Sequence, residues 1–501
     1  MALSWTDLTF ALCATALVYR LVTRRRTPPP PPGPRRLPFI GNLLDMPSEK
    51  PWIKFAEWGD TYGDITSINV MGQQITILNS MNVAVELLDK RSAICSDRPR
   101  VTMAGELVGW NQNLGLTPYG GRFRRFRRMA HSVFGNRQLM MDFQSFEEAE
   151  THRFLKRVVS TPEDLQHHID RFSGSIILRI CYGYDVKEDG EDPFVSLGST
   201  AMAQFSLASA PGGFVVNSVP ALRHLPSWIP GTSFRALAKV YKGTLERMVQ
   251  EPFDWVKKRM AAGTAEQSLL HYLLERKEED EYEAKWLALS MYAGGSHTTV
   301  SSIYAFFKAM ALHPEVMAKA QKEIDSVVGD GRLPGFSDKK DLPYTNALIS
   351  EVHRWHTVVP TGLPHRVMED DVYNGWFLPK GSIVLANIWK MTHDPRTYKN
   401  PMLFNPERFL ASEGKDPELD PSELIFGFGR RICPGRVLAE ASVWITIVMA
   451  LAVFDISRHP DGEGIDVDVT TGTVSLPTRF KCSIKPRSAK AAQLIQAEVR
   501  A

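Results

Sequence analysis

At 501 residues the chain exceeds the usual single-domain length, yet no long flexible linker divides it and its apolar fraction of 44% persists along most of its course, so one large body with an N-terminal appendage is expected. A net charge of +3 is too near balance to favour a nucleic-acid partner. The five cysteines, Cys13, Cys95, Cys181, Cys433 and Cys482, are scattered and odd in number, and there is no Asn-x-Ser/Thr acceptor, which argues against a secreted, disulfide-framed body and fits a reducing compartment.

Residues 8–19 (LTFALCATALVY) are apolar, and residues 3–22 nearly reach a membrane span when Arg20 snorkels to the headgroups. Arg24, Arg25 and Arg26 follow, while no Lys or Arg precedes the run; this asymmetry places the rest of the chain on the cytosolic side. A cleaved signal peptide is the alternative, but a basic leader and a small-residue cleavage site are missing. Residues 1–23 are therefore expected to be a transmembrane anchor. Residues 24–38 form a basic, Pro-rich linker whose run TPPPPPGPRRLP is expected to be a stiff extended spacer. The body is expected over 39–486, followed by a tail at 487–501 without a motif.

In the body, residues 64–70 and 74–78 flank Met71-Gly72 as a hairpin would. Helical periodicity then dominates from about 84 to 311, with loops at 209–213 and 226–233. Small strands are expected at 372–378, at 383–387 and near the C-terminus, where Thr471-Gly472-Thr473 marks a turn. The fold class is mainly α with small β-sheets. Residues 122–128 (RFRRFRR) place a basic face on a helix. Residues 277–283 (KEEDEYE) suit a solvated helix end or loop.

Residues 285–312 are long and largely apolar, interrupted by AGGSHTT at 293–299. Mid-helix glycines cost about 1 kcal/mol each relative to alanine, so Gly294 and Gly295 beside hydroxyls mark either a groove or a helix-packing contact. Glu351 and Arg354 lie one helical turn apart, where they can pair. His353 and His356 lack zinc-site spacing and a third ligand, and are expected to be structural.

Residues 426–435 read FGFGRRICPG. Glycines at 427, 429 and 435 permit a tight, close-approaching backbone. Cys433 precedes Pro434, which suits the first position of the helical run that follows. A cysteine at a helix N-terminus has its thiolate favoured by the dipole and free N–H groups, as an anionic sulfur ligand to iron requires. A buried core cysteine is the bland alternative.

The whole string, with Phe426, Gly429, Arg431, Cys433 and Gly435 in place, resembles the haem-binding signature of the cytochrome P-450 family. Glu351-Val-His-Arg354, Pro406-Glu407-Arg408-Phe409 and the cysteine loop also follow in that family's order. The resemblance implies a cytochrome P-450 fold, with Cys433 as axial ligand to the iron of haem b. It implies a buried ion-pair cluster of Glu351, Arg354 and Arg408. Arg124, Arg127, Arg431 and His365 become candidates for pairing with haem propionates, although Phe123 stands where the family's helix usually has Trp. Helix 285–312 resembles the oxygen-binding helix, with the Gly294-Gly295 groove and Thr298 as the hydroxyl that helps deliver protons. Here the family usually has an acid before the threonine, and this chain has His297. Imidazole can shuttle protons near neutrality; alternatively His297 faces away and water supplies them.

The implied reaction inserts one atom of dioxygen into a lipophilic small molecule. The chain has no complete dinucleotide fingerprint and no phosphate-binding loop, so electrons from NADPH are expected through a separate membrane-bound NADPH–haemoprotein reductase. Pocket segments implied by the resemblance are 103–116, 205–216, 289–293, 358–363 and 471–476. The pattern is similar to fungal microsomal monooxygenases of secondary metabolism, which suggests a terpenoid or polyketide substrate and a single-pass protein of the endoplasmic reticulum membrane. The rival readings are a haem-thiolate isomerase or dehydratase, which needs no NADPH, and a non-catalytic haem sensor or carrier.

Overall fold

The computed structural model describes residue 15 and residues 28–499, apart from 136, 189, 211, 227, 277–279 and 460–464. Apart from residue 15, the expected anchor and Arg24–Arg26 lie outside the described residues.

The hairpin forms as its turn residues dictate. Strands β1 (Ile65–Val70) and β2 (Gln73–Leu78) pair antiparallel, Val70 opposite Gln73. Between them Met71 and Gly72 both have positive φ, 51° and 89°, the twist that suits a two-residue hairpin loop. β3 is His365–Arg366, β4 Asp371–Tyr373, β5 Trp376–Leu378 and β6 Ile383–Ala386. The main sheet has the order β1-β2-β6-β3, with β6 parallel to β2 and antiparallel to β3. β4 and β5 form a second hairpin. β7 (Phe454–Arg458) pairs with β8 (Cys482–Pro486).

The Pro-rich segment is extended but is not a free spacer. The Ser67 N–H donates to the Pro32 carbonyl at 2.7 Å and the Phe377 N–H to the Pro29 carbonyl at 2.8 Å. A Cβ on Gly33 would stand 2.0 Å from the Ser67 carbonyl oxygen. Proline lacks a donor but keeps its acceptor, and the sheet uses it. The tail is likewise part of the body. Ser488 caps a helix over Ala489–Gln496 whose Ala491 and Ile495, one turn apart, are buried.

The helical mass is built from α1 (Gly121–Phe134), α2 (Gln144–Ser160), α3 (Leu165–Tyr182), α4 (Pro193–Ser209), α5 (Glu281–Leu312), α6 (Pro343–Trp355) and α7 (Arg436–Val453). α4 and α6 begin on proline, which costs nothing at a position without an intrahelical N–H partner. α5, about 48 Å long at 1.5 Å per residue, is buried along almost all of its length and packs on α3, α4 and α7. It starts four residues before the expected Lys285, because Asp280 accepts from the Tyr282 N–H and caps it. It runs through Gly294-Gly295 unbroken. Of the acidic run, Glu283 is not solvated: it is buried and receives Arg125 at 2.6 Å. Among the described residues one helix, α7, is long and apolar enough to cross a membrane, and most of it is buried in the core.

One buried acid in this core has no cation opposite it among the described residues. Glu147 of α2, 1% exposed, accepts from the Ser442 hydroxyl of α7 at 2.5 Å. Burial pushes its carboxyl up to about 8, and neighbouring Glu148 adds to the rise. An unfolded Glu releases its proton near pH ~4.3. Between these values the folded state holds the extra proton, so stability falls as pH rises, by at most ~1.4 kcal/mol per pH unit. Glu147→Gln removes that slope. Its melting temperature should gain on the wild type between pH 5 and pH 8, and parallel curves would contradict this account.

Candidate active site

The cysteine loop wraps one end of a cavity of about 340 Å³. The Cys433 N–H donates to the Phe426 carbonyl at 2.8 Å and closes the loop on itself. Gly429 has φ 55°, and a Cβ there would lie 2.2 Å from the Leu88 carbonyl oxygen, so only glycine allows this approach. Arg127 of α1 donates to the Ile432 carbonyl at 2.7 Å. The Cys433 side chain is exposed into the cavity, which Phe426 also lines. Surrounding protein raises the thiol's pKa, while the Gly435 N–H and the Arg127 charge oppose that rise. Pro434 is not the first helical residue as expected. It lies in a turn, Gly435 is the N-cap and α7 begins at Arg436, and the Gly435 N–H is directed at the sulfur.

The cavity carries a cationic wall. Arg98, Arg127 and Arg431 supply its charge, His365 lines it as well, and no described carboxylate does. Arg431 donates Nε to the Ser96 carbonyl at 2.7 Å and Nη2 to the Thr117 carbonyl at 2.9 Å. Its guanidinium lies 3.8 Å from the centre of the Phe123 ring, and its buried Nη1 has no partner among the described residues. Arg98 donates to the carbonyls of Gly115, Leu363 and Pro364 at 2.9, 2.7 and 2.7 Å. His365 donates Nδ1 to the Cys95 carbonyl at 2.7 Å, which leaves Nε2 uncommitted. Burial lowers the pKa of Arg431 to about 10, with Arg127 adding to the drop and Asp97 opposing it. Burial and the charges of Arg98 and Arg431 hold His365 well below its ordinary value.

Buried cations short of counter-ions, one with an orphaned N–H, await an anion. Two propionates on a flat macrocycle beside a cysteine sulfur meet that demand, so the residues present fit haem b. Arg124 does not belong to this wall. It is exposed against the Tyr119 ring at 5.8 Å, one residue out of phase with the cavity-facing positions of α1. Arg98, without a motif of its own, takes that place.

α5 lines the same cavity with Gly294, Gly295 and Thr298. The Thr298 hydroxyl donates to the Gly294 carbonyl at 2.7 Å. The glycine pair serves both expected purposes. A Cβ on Gly294 would meet nothing within 4 Å, whereas one on Gly295 would collide with Ile177 of α3 at 2.8 Å. Gly294 leaves room and Gly295 lets α3 approach. His297 does not line the cavity. It is 8% exposed and its Nδ1 has no partner among the described residues. Burial lowers its pKa to about 4, so it is uncharged near neutrality, and its place off the cavity agrees with the second of the two expectations, that it faces away. His356 hydrogen-bonds Ser301 at 2.7 Å, a structural contact as expected.

Glu351 and Arg354, both 0% exposed, and Arg408, 2% exposed, meet as anticipated. Glu351 receives Arg354 Nε at 2.7 Å and Arg408 Nε at 3.1 Å. A partner not foreseen, Glu418, takes Arg408 Nη1 at 2.7 Å and balances the charge. Each of the five expected pocket segments contributes a lining residue, among them Trp110, Phe205, Ala293, Val358 and Val474.

The cytochrome P-450 family pattern matches residues 31–484. The chain is 47% identical over 470 residues to cytochrome P-450 monooxygenase claR of Ampulloclitocybe clavipes, covering 93% of this chain and 88% of that protein. It is 42% identical over 504 residues to cytochrome P-450 monooxygenase ppsD of Aspergillus oryzae, covering 98% and 95%. It is 39% identical over 466 residues to the tryptamine 4-monooxygenase of Psilocybe cyanescens, covering 90% and 91%. With this likeness over nearly its whole length, and a cavity whose cysteine and cationic wall fit haem, the chain belongs to the cytochrome P-450 family of monooxygenases.

Proposed function

We propose that Cys433 would hold the iron of haem b through its thiolate and that the protein oxygenates a neutral, lipophilic secondary metabolite, a terpenoid or a polyketide. The observation that carries the substrate reading is a cavity whose lining holds no described carboxylate. A protonated amine buried there would have no counter-charge, at a cost of several kcal/mol. One relative is named for tryptamine, an amine, and a lining without a described carboxylate favours a different class of substrate for this chain.

Bound haem supplies the activation of dioxygen and the transfer of one oxygen atom. The residues do the rest. Arg98, Arg127, Arg431 and His365 bind the propionates and fix the macrocycle's orientation. The Gly435 N–H and the positive end of α7 stabilise the anionic sulfur. Thr298 holds its hydroxyl at the Gly294 carbonyl, where it can pass a proton from water. Trp110, Phe205, Val358 and Val474 exclude water from the remaining space. Electrons come from NADPH through a separate reductase, for which the exposed Arg124 and Arg128 offer an electrostatic docking surface. The apolar residues 8–19 with Arg24–Arg26 anchor the protein in the endoplasmic reticulum, its body on the cytosolic side.

The test is reconstitution in lipid vesicles with the membrane reductase, NADPH and isotopically labelled dioxygen, supplied with a panel of neutral terpenoids and polyketides alongside tryptamine. One labelled oxygen in a neutral product is expected. Turnover without NADPH would instead indicate an isomerase or dehydratase. Preference for tryptamine would overturn the substrate class, and no turnover on any compound would favour a sensor or carrier.

A further inference from the structure

Two separate segments form one wall of the cavity, the C-terminal half of α4 (Met202, Phe205) and the loop at Thr473-Val474. They are about 270 residues apart in sequence, yet one side chain between them makes contact in both directions. The buried hydroxyl of Ser206 donates to the Val474 carbonyl at 3.0 Å and accepts from the Val474 N–H at 3.0 Å. The Ser206 carbonyl receives the Thr473 N–H at 3.3 Å, and the Ser209 and Thr473 hydroxyls meet at 2.8 Å. Ser206 itself does not line the cavity.

The loop is held from its other side as well. The Ser475 N–H donates to the Val358 carbonyl at 2.8 Å and the Ser301 hydroxyl to the Ser475 carbonyl at 2.6 Å. The wall is thus stitched to α4, α5 and the Val358 segment. Gly472 completes the fit, because a Cβ there would lie 2.4 Å from the Ser206 oxygen. The base of the loop is closed by the antiparallel Val469–Pro477 bridge and the Thr470 N–H to Leu476 carbonyl bond at 2.7 Å, but Val474 lies outside that pairing. The bidentate serine satisfies its buried N–H and C=O, which would otherwise stand empty.

We propose that Ser206 is a positioning residue for substrate selectivity: by clamping Val474 to α4 it sets how closely the Val474 and Phe205 side chains confine the bound molecule. The inference rests on the haem-bearing reading of the cavity, which the experiment reports separately.

The probes are two azoles of different reach, imidazole and 4-phenylimidazole, titrated optically against the ferric holoprotein. Imidazole occupies only the iron's neighbourhood, whereas the phenyl group must find the apolar wall. Ser206→Ala leaves the Val474 N–H and C=O unpaired and loosens that wall. The expected result is about a tenfold loss of 4-phenylimidazole affinity with imidazole affinity unchanged within about twofold. Gly472→Ala disturbs the same contact from the loop side. It should give the same pattern, and the double variant should lose little more than either single one. If Ser206→Ala does not take up haem, Gly472→Ala and Ser209→Ala carry the same comparison. Equal effects on both azoles, or no effect on 4-phenylimidazole, would overturn the role of Ser206. Failure of the wild type to bind imidazole at all would instead overturn the haem reading.

Discussion

Cys433→Ser is expected to abolish turnover and the thiolate-type absorption band of the reduced, carbon monoxide-bound protein. A serine hydroxyl has the size of the thiol but does not ionise near neutrality, and the electron donation that distinguishes a thiolate ligand is lost with the sulfur. The surrounding loop should survive, because its closure rests on the Cys433 N–H to Phe426 carbonyl bond and on the glycine approach to Leu88, neither of which involves the side chain. The variant should therefore melt near the wild type before haem is added, yet lose activity by more than the ~10–100-fold that removal of an outer-shell partner costs at a metal site. A thiolate-type band retained by Cys433→Ser would show that another group ligates the iron. Cys95, Cys181 and Cys482 make poor substitutes, since none of them lines the cavity.

What could be read from the chain beforehand was what lies contiguous in it. The cysteine loop compresses ligand, glycine turn and helix start into ten residues, and Glu351 with Arg354 needs only one helical turn. Arg98 and Glu418 were invisible for the opposite reason. Arg98 reaches the site through carbonyls 265 and 266 residues away, and Glu418 finds Arg408 through an irregular loop. The placement of His297 was hidden for a different reason. Successive helical residues point about 100° apart, so choosing between His297 and Thr298 requires the phase of α5. That helix is buried on nearly every side, and a helix apolar all round has no polar face from which to read a phase. On α1 the same uncertainty fell between Arg124 and Arg127 within a run of arginines that are alike in type. The contacts of the Pro-rich segment were hidden as well, because composition displays proline's missing donors whereas the sheet uses its carbonyls.

Glu351→Gln should be the most damaging single change outside the loop. The cluster is electrically closed: Arg354 and Arg408 carry two positive charges, and Glu351 and Glu418 carry two negative ones. Its members are also saturated with backbone contacts. Arg354 donates to the carbonyls of Thr392, Pro401 and Leu403 at 3.0, 2.7 and 3.2 Å, and Glu351 accepts the Asn405 N–H at 2.7 Å. Glutamine keeps the volume but removes one charge and turns an N–H₂ toward a guanidinium, leaving a net positive charge where neither arginine can reach water. Breaking such a buried pair costs about 3–5 kcal/mol, a large part of the ~5–15 kcal/mol that keeps a domain folded. The exposed Lys54–Glu57 pair, at a similar 2.7 Å, is the control, and Lys54→Met should leave the denaturant midpoint essentially where it is. The damage should also travel. The residues between Arg354 and Arg408 carry β3 with His365, β6 and the Val358 wall, so Glu351→Gln should lose haem occupancy along with its denaturant midpoint. An unchanged midpoint with full haem occupancy would mean that the cluster's charges are compensated in some other way.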